Sequence, residues 1–548
     1  MGDASFAAPN RASWWLRLPV VREAALCTGI ATVAGSLLVW LAPPGGDLAA
    51  HEYQRSLFLL HGFTLWDNLW YAGRYAFVNY SVLYYPLAAL LGIRLLAVLT
   101  VAFAAGAFAL LLDREWGPAA RWAGRCFALV WAGVILAGEF PLALGVALAL
   151  LCLLALQAGR RWIGAALIVL VLAASPVAFI LLGVVLAGIA VGRLPRLRLR
   201  SYAVPALAIA LATAAELIVL HLFPVGTLGF PAGEAVQAVV FCVILLALTW
   251  RLDRAQALFG FLAVYLVAVI ATYVIPSGLG HDVARVRLLA LPITLLVAAL
   301  RHWRPLPVVL GALALAAAWN VFPLASGWAS SSADRSANPK AWTAPVAYLH
   351  THLQTGYRVE AVDTSDHWAA LYLARAGIPL VRGWFRQDDH PVASLLYRRF
   401  TAAEYDAWLH RLGVSYVVLT DSPPDHSSRL EAEIIRKGKA GLRQVFASPN
   451  VSIYAVPRPQ PIVTGPGRPT LLALRESRLA VHVSQPGTYD VAVRWSPYWH
   501  ASQGCLTRTP HGMLRLRAPA AGTVRIAFDP DVGSLFDAFV GTAPSCAS

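Results

Sequence analysis

Apolar residues recur along the first 325 positions in windows of about twenty, the length an α-helix needs to cross a bilayer. The pattern predicts a polytopic helical membrane domain over 24–325 with about eleven spans. Two segments, 162–174 and 177–191, are short and meet at Ser175-Pro176. The remaining predicted spans are 24–43, 81–112 with a short entering segment before Arg94, 121–137, 140–156, 203–222, 234–250, 255–275, 286–300 and 306–325.

Arginines in the short loops alternate along this domain. The loops around Glu139, around Ser175 and at 223–233 carry no Lys or Arg. Cytoplasmic loops of membrane proteins are enriched in both residues. This predicts a cytoplasmic N-terminus (1–23, with 1–12 disordered), a shallow hairpin or re-entrant turn at Ser175-Pro176, and a first loop and C-terminal region outside. The loops predicted to be cytoplasmic contain Arg11, Arg17 and Arg22; Arg114, Arg121 and Arg125; Arg160 and Arg161; Arg193, Arg196, Arg198 and Arg200; Arg251 and Arg254; and Arg301 and Arg304.

Beyond the spans the pattern becomes that of a globular protein. A Ser-rich linker is predicted at 326–340. Helical and strand patterns alternate over 341–456, which predicts an α/β domain with partly parallel strands. Short alternating strands with Pro-Gly and Ala-Gly turns over 457–548 favour a β-sandwich-like domain. Cys505 and Cys546 fall in this region, and an extracytoplasmic location would allow a disulfide between them.

Composition narrows the class of protein. Hydrophobic residues make up 58% of the chain and charged residues 13%, unlike an ordinary soluble domain. The net charge of +15, with 44 Lys and Arg, raises the question of a nucleic-acid partner, but loop arginines account for most of the positive charge of the membrane half. No nucleic-acid binding is therefore expected.

The first predicted outer loop, 44–80, interleaves acidic and aromatic residues next to the membrane. Charged groups close to hydrocarbon are costly, which indicates a use for them. Aromatic rings can cover the apolar face of a sugar while carboxylates accept its hydroxyl protons. The alternative is an interfacial helix with Trp and Tyr at headgroup level, which is compatible with a sugar site. The candidate residues are Asp47, His51, Glu52, Trp66, Asp67, Asn68, Trp70, Tyr71, Arg74 and Tyr75.

A later outer loop breaks the charge rule. It carries His281, Asp282, Arg285 and Arg287 on the outer side, where the other short loops between the later spans have no arginine. Guanidinium groups bind phosphate bidentately and stay charged, so the loop is a candidate site for the phosphate of a lipid carrier. The structural alternative is an anchor in which Arg285 pairs with Asp282 or with a headgroup. Further polar residues at outer helix ends are Glu139, Glu216 and His221.

The C-terminal region shows no autonomous catalytic motif of the GxSxG, HExxH, Walker or GxGxxG kind. Its most polar and aromatic cluster is GWFRQDDH at 383–390. A second aromatic group, a candidate carbohydrate platform, comprises Trp495, Tyr498 and Trp499. Packing in the core or at its rim is the expected role of both clusters.

The motifs GDLAAHEYQ, GFTLWDNLWYAGRY and YSVLYYPLAALLG resemble bacterial membrane proteins labelled "6-pyruvoyl-tetrahydropterin synthase related". The topology resembles the GT-C superfamily, integral-membrane glycosyltransferases that use polyprenyl-phosphate-linked sugars. The resemblance implies an outer active site in which an Asp of the first loop is the general base. Asp47 matches by position, and Asp67 is its rival. The Asp-x-Asp or Glu-Asp pair common in such loops is absent, and Asp47 is followed one turn later by His51 and Glu52.

The function expected on this basis is sugar transfer from a polyprenyl-phosphate donor to a glycan, lipid or protein hydroxyl at the outer face of a bacterial cytoplasmic membrane. His51 and Glu52 could bind a divalent cation (Mg, Mn or Ca) or orient Asp47; no nucleotide or pterin cofactor is expected. Two alternatives remain: a transporter or flippase for a lipid-linked sugar, and a non-catalytic cell-envelope assembly protein.

Overall fold

The computed structural model describes residues 18–192 and 199–541, with backbone only at 199–202 and at 391. The segment 1–12, Arg11, Arg17, Arg193, Arg196, Arg198 and Cys546 lie outside the described residues. The chain divides into two compact units. Of the described residues, those up to Gly45, Ser81–Leu217 and Leu228–Trp328 form the membrane unit, and Gly46–Tyr80, Ile218–Thr227 and those from Ala329 onward form the second unit.

The membrane unit is helical. Its helices, numbered in chain order, are α1 (Leu18–Leu41), α3 (Tyr84–Leu91), α4 (Ile93–Trp116), α5 (Arg121–Val130), α6 (Val134–Ala137), α7 (Phe140–Gln157), α8 (Arg161–Ala174), α9 (Pro176–Gly192), α10 (Leu199–Leu222), α11 (Ala232–Thr249), α12 (Gln256–Val274), α13 (Ala290–Leu300) and α14 (Leu306–Ala333). The last residues of α10 and α14 belong to the second unit.

Eight helical stretches of the described residues are long and apolar enough to cross a membrane. One of them, Ile93–Ala137, contains α4 and then α5 and α6. Its first and later parts form a hairpin, because Phe108 stacks on Phe127 at 4.1 Å and Ala109 lies against Gly124. With that stretch divided in two and the shorter α8 and α9 added, the helices match the predicted segments. The prediction of a multi-pass helical membrane domain is confirmed.

The two short helices α8 and α9 form a hairpin. Helix α8 is antiparallel to α7: Ser175 lies against Gly145 near one end, and Cys152 Sγ contacts the Gly164 carbonyl nearer the other. Helix α9 is antiparallel to α12, with Gly188 against Phe261 and Gly192 against Gln256. The glycines let these helix backbones approach closely, as small residues do in membrane bundles.

The helix ends of the membrane unit fall into two groups that follow the arginine alternation. At the arginine-bearing ends, Trp116 Nε1 donates to the Arg254 carbonyl at 2.8 Å, and Arg301 Nη1 donates to the Leu248 carbonyl at 2.8 Å. At the other ends, the Leu228 amide donates to the Ser277 carbonyl at 2.9 Å, and the Val82 amide to the Ala173 carbonyl at 3.0 Å.

The second unit begins with α2 (Leu48–His61) and a two-strand ribbon, β1 (Trp66–Asp67) and β2 (Arg74–Tyr75). An α/β layer follows. Its sheet has the order β3-β4-β6-β5, with β3 and β4 parallel and the other pairs antiparallel. These strands are β3 (Arg358–Ala361), β4 (Val414–Thr420), β5 (Arg443–Ala447) and β6 (Val451–Ala455), and the helices are α15 (Lys340–His352), α16 (Trp368–Arg375), α17 (Arg386–Ala393), α18 (Ala402–Arg411) and α19 (Arg429–Arg436).

A β-sandwich completes the second unit. Its sheets have the orders β12-β13-β10-β7 and β11-β14-β9-β8. Val491 and Leu514 of one sheet share a core with Val481 and Val524 of the other. The strands are β7 (Val463–Thr464), β8 (Thr470–Arg475), β9 (Arg478–Val483), β10 (Gly487–Arg494), β11 (Trp499–Ala501), β12 (Cys505–Arg508), β13 (Met513–Ala518) and β14 (Gly522–Phe528), followed by α20 (Val532–Val540). The predicted fold class is therefore confirmed.

Two details differ from the expectation. The Ser-rich segment predicted as a linker at 326–340 is mostly helical, because α14 continues to Ala333 and α15 begins at Lys340. Serine only weakly disfavours helix, and Ser331 is buried, so tertiary packing decides the conformation here. The first loop, predicted as part of the membrane domain, belongs to the second unit.

Candidate active site

Asp47 lies at the start of a well-defined helix. It occupies the position before Leu48, the first residue of the 14-residue helix α2, and its side chain is half-buried. The preceding residue is fixed as well, because Trp384 Nε1 donates a hydrogen bond to the Gly46 carbonyl at 3.1 Å. A helix N-terminus stabilises a carboxylate in its charged form. Asp47 therefore keeps accessible surface at the start of α2.

His51 and Glu52 lie one turn further along α2. The His51 amide bonds the Asp47 carbonyl at 3.3 Å, as the expected helical spacing requires. The His51 ring is buried, with its centre 5.9 Å from that of Tyr80, whereas Glu52 Oε2 lies 3.2 Å from Arg375 Nη2. Within the described part of the chain, no group of three or more His, Cys, Asp and Glu could hold a metal ion. The cation expected at this helix stays a prediction.

Asp67, the rival base, is fully buried. Tyr53 donates its hydroxyl hydrogen bond to Oδ2 at 3.0 Å, and the Leu69 amide donates to Oδ1 at 2.9 Å. Loss of hydration in this site raises the pKa of Asp67 to about 6, although both hydrogen bonds act in the opposite direction. The carboxyl group fastens the β1–β2 ribbon to α2 and has no exposed surface in this structure.

Three candidate residues of the ribbon are part of the sandwich. Trp66 is fully buried, stacks on Phe528 with ring centres 4.8 Å apart, and donates from Nε1 to Asn68 Oδ1 at 2.7 Å. Asn68 Nδ2 in turn donates to the Arg475 carbonyl at 2.7 Å. The Tyr75 hydroxyl donates to Ser496 Oγ at 3.0 Å. These side chains lock the loop to the sandwich.

The other three face the α/β layer. Trp70 stacks on Tyr53 at 4.2 Å and donates from Nε1 to the Ala370 carbonyl at 3.0 Å. Arg74 Nε lies 2.9 Å from Asp388 Oδ2. Tyr71 has a positive φ of 59° and is fully buried. In this conformation the aromatic residues expected to stack on a sugar present no ring face to solvent. They build the loop into the second unit.

The late loop of the membrane unit contains a closed ion-pair group. Arg285 Nη1 lies 2.6 Å from Glu139 Oε1, and Arg285 Nε lies 2.8 Å from Asp282 Oδ1. His281 Nδ1 is 3.2 Å from the Gly229 carbonyl, and its Nε2 is 3.9 Å from Asp282 Oδ1. Two carboxylates therefore balance Arg285, as in the anchor considered from the sequence.

Arg287 differs from Arg285. Its carbonyl accepts a hydrogen bond from Asn320 Nδ2 at 2.9 Å, and its side chain is half-buried. Among the described residues no carboxylate forms an ion pair with its guanidinium. Of the two loop arginines, Arg287 is the one whose charge is available to an anionic ligand.

A buried ionic cluster in the α/β layer was not among the residues predicted from the sequence. Arg382, only 2% exposed, lies 2.7 Å from Asp363, 3.4 Å from Asp389 and 3.8 Å from Glu431. Burial disfavours its charge, but these carboxylates and Glu360 outweigh the loss of hydration and raise the pKa of Arg382 well above its ordinary value. The only sequence signal was the neighbouring polar cluster at 383–390.

The three residues of the aromatic group near the end of the chain have different environments. Tyr498 and Trp499 are buried in the sandwich core, as expected of packing residues. Trp495 is half-buried and lines a cavity of about 810 Å³ within the second unit.

Cys505 on β12 is disulfide-bonded, whereas Cys27, Cys126, Cys152 and Cys242 are free.

No family model and no curated protein matches the sequence. Solved structures with a similar fold include the mycobacterial arabinofuranosyltransferase AftD, at a TM-score of 0.46 and 19% identity over 87% of this chain and 42% of that one. A mutant form of AftD gives a TM-score of 0.48 and 18% identity, covering 87% and 43%. ArnT from Cupriavidus metallidurans bound to undecaprenyl phosphate gives 0.38 and 13%, covering 82% and 99%.

This chain thus spans less than half the length of AftD. The likeness concerns the fold alone.

Proposed function

We propose that this chain is a membrane glycosyltransferase that moves a sugar from a polyprenyl-phosphate donor to a hydroxyl group of a glycan, lipid or protein. We place the reaction on the outer face of a bacterial cytoplasmic membrane. The first-loop motifs and the arginine alternation support this proposal. The disulfide at Cys505 supports an outer location of the second unit, since disulfides persist in oxidising compartments.

The observation that carries the choice of base is the difference in exposure between the two aspartates. A general base must reach the proton that it removes. Asp47 is half-buried at the start of α2 and keeps accessible surface, whereas Asp67 has none and already accepts two hydrogen bonds. Asp47 is therefore the proposed base and Asp67 a structural residue.

In the proposed reaction, the bond between the anomeric carbon and the phosphate oxygen breaks, and its electron pair leaves with the polyprenyl phosphate. The acceptor oxygen forms the new bond to the anomeric carbon, and Asp47 takes the proton of that hydroxyl. The sugar carbon gains oxocarbenium character as the leaving group departs, so a carboxylate base assists most when bond breaking is advanced.

Arg287 would stabilise the departing phosphate. Negative charge accumulates on the phosphate oxygens as the bond to the sugar breaks, and a guanidinium placed there is worth more in the transition state than in the ground state. Arg285 would hold the loop through Glu139 and Asp282. This division of roles follows from the ion pairs that Arg285 forms and Arg287 lacks within the described residues.

The test is a transfer assay on the detergent-purified protein with polyprenyl-phosphate pentoses and hexoses as donors. We expect Asp47→Asn to lower the rate at least about 100-fold with an unchanged melting temperature, and Asp67→Asn to retain transfer. Glu433→Gln, which changes an exposed carboxylate on α19, is the matched control. Full activity of Asp47→Asn would remove it as the base. Activity only in sealed vesicles, as movement of lipid-linked sugar without transfer, would favour the flippase.

A further inference from the structure

The second unit contains a cavity that none of the functions above uses. It has a volume of about 810 Å³ and lies between the end of α18, strands β10, β12 and β13, and α20. Residues at the end of α10, His221 and Leu222, form part of its wall. The polar and aromatic side chains of the lining include Arg411, Arg494, Trp495, Arg508, His511 and Asp537.

The charge of this lining is predominantly positive. Arg494 has a partner, since its Nη1 lies 3.5 Å from Asp388 Oδ1. Arg411 and Arg508 are exposed, and within the described parts of the chain neither forms an ion pair or a side-chain hydrogen bond. Two guanidinium groups that face one cavity without carboxylate partners favour an anionic ligand, because each offers a planar set of N–H donors.

A second cavity of about 720 Å³ continues from the first. The two share Arg411, Pro510, His511 and Met513 in their walls. The second adds Asp406 and Asp490, whose carboxylates accept hydrogen bonds, and Gln460, whose amide both donates and accepts. Together they form one groove, with an arginine-rich lobe beside Trp495 and a lobe of mixed polar character. Two adjoining cavities of these volumes exceed what a single small anion would need.

We propose that this groove binds the acceptor, and that the acceptor is a glycan chain carrying an anionic group. Trp495 offers a half-buried aromatic face against which a sugar ring can pack. Arg411 and Arg508 bind the anionic group, phosphate or carboxylate. The polar side chains of the second lobe exchange hydrogen bonds with sugar hydroxyls. The inference deepens the proposed function and rests on it, since it names the acceptor class.

The experiment measures binding and transfer separately on the full chain in detergent. A printed array of bacterial envelope glycans, anionic and neutral, provides the probes. We expect the protein to retain anionic glycans over neutral ones. Arg411→Gln and Arg508→Gln should each weaken binding by roughly tenfold, because a charge-assisted hydrogen bond is lost. Trp495→Ala should weaken the binding of anionic and of neutral glycans to the same extent. Arg525→Gln, an exposed arginine of the same sandwich outside the groove, is the matched control.

Equal binding by the wild type, Arg411→Gln and Arg508→Gln, or no glycan retained by the wild type, would overturn the groove proposal. Nanodiscs containing phosphatidylglycerol form a further arm. The wild type could bind these nanodiscs and retain no glycan, while the arginine variants do not bind the nanodiscs. That result would show that the arginines hold lipid headgroups, and it would also overturn the groove proposal. Transfer that proceeds normally in a variant that no longer binds glycan would overturn the acceptor role. Glycan binding by a wild type that transfers no sugar would instead count against the proposed function.

Discussion

Arg285 Nη1 lies 2.6 Å from Glu139 Oε1, and the two side chains are 18% and 5% exposed. The same guanidinium reaches Asp282 at 2.8 Å. A well-buried pair is most costly when only one partner is removed, because the other charge stays buried without compensation. We expect Arg285→Gln to destabilise the protein by about 3 kcal/mol and to lower its melting temperature in detergent.

The double variant Glu139→Gln/Arg285→Gln should recover much of that loss, because it leaves one less unpaired charge. A melting temperature of Arg285→Gln equal to that of the wild type would show that the ion pairs do not hold the loop.

Arg287→Gln should affect catalysis more than stability. If its guanidinium stabilises the departing phosphate, kcat/KM should fall by on the order of 100-fold, with the melting temperature unchanged. Arg287→Lys keeps the charge but loses the planar set of donors, so an intermediate loss is expected. Arg251→Gln, in an arginine-bearing loop of the opposite group, serves as control. Unchanged kinetics of Arg287→Gln would exclude it from the phosphate site.

The membrane helices could be predicted because their signal is local. A run of about twenty apolar residues requires nothing from the rest of the chain. The arginines on either side of α8 and α9 predicted that both outer ends of this pair lie on the same side. The structure agrees for α9, because Gly192 at its end lies against Gln256, the first residue of α12, next to the arginine-bearing loop that contains Arg254. The extension of α14 through the Ser-rich segment could not be foreseen, because the burial of Ser331 depends on residues distant in sequence.

The candidate site was less predictable for the same reason. Acidic and aromatic residues in a loop are compatible with a ligand site and with a core, and only the partners decide. Asn68 bonds the carbonyl of Arg475, and Arg74 pairs with Asp388, more than 300 residues away in both cases. Likewise, the groove of Arg411 and Arg508 forms from segments that show no shared motif in the sequence.

Asp67 should make stability depend on pH. An unfolded Asp titrates near 3.8, whereas the pKa of Asp67 in the folded protein is about 6. The folded state therefore holds the proton between these values. The contribution of this group to stability is greatest below pH 4, falls as the pH rises towards 6, and is constant above that.

Asp67→Asn cannot ionise, and an Asn can still accept from the Leu69 amide and bond the Tyr53 hydroxyl. As the pH rises from 4 to 7, the free energy of unfolding of Asp67→Asn should therefore increase relative to that of the wild type, by on the order of 3 kcal/mol at most. Melting temperatures of both proteins across this range provide the measurement. A difference that does not vary with pH would show that Asp67 is ionised throughout.

Trp66 separates a packing role from a sugar-binding role. Trp66→Ala empties a site in the sandwich core beside Phe528, and losses of about 3–5 kcal/mol are usual for such a change. Trp66→Phe keeps most of the packing and loses the hydrogen bond to Asn68. We expect Trp66→Phe to have a slightly lower melting temperature than the wild type and to transfer sugar at the wild-type rate per folded molecule. Full stability with lost transfer would instead indicate direct contact with the sugar.

The orientation in the membrane can be tested with single cysteines. In a background where the four free cysteines are replaced by Ala, Gln485→Cys lies on the exposed surface of the sandwich and Asp253→Cys in an arginine-bearing loop. If the arginine-bearing loops are cytoplasmic, a membrane-impermeant maleimide added to intact cells should label Gln485→Cys and spare Asp253→Cys. Permeabilised cells, in which both should react, provide the control. The reverse pattern would place Asp47 and the whole second unit in the cytoplasm, away from an outer-face acceptor, and would contradict the proposed site of transfer.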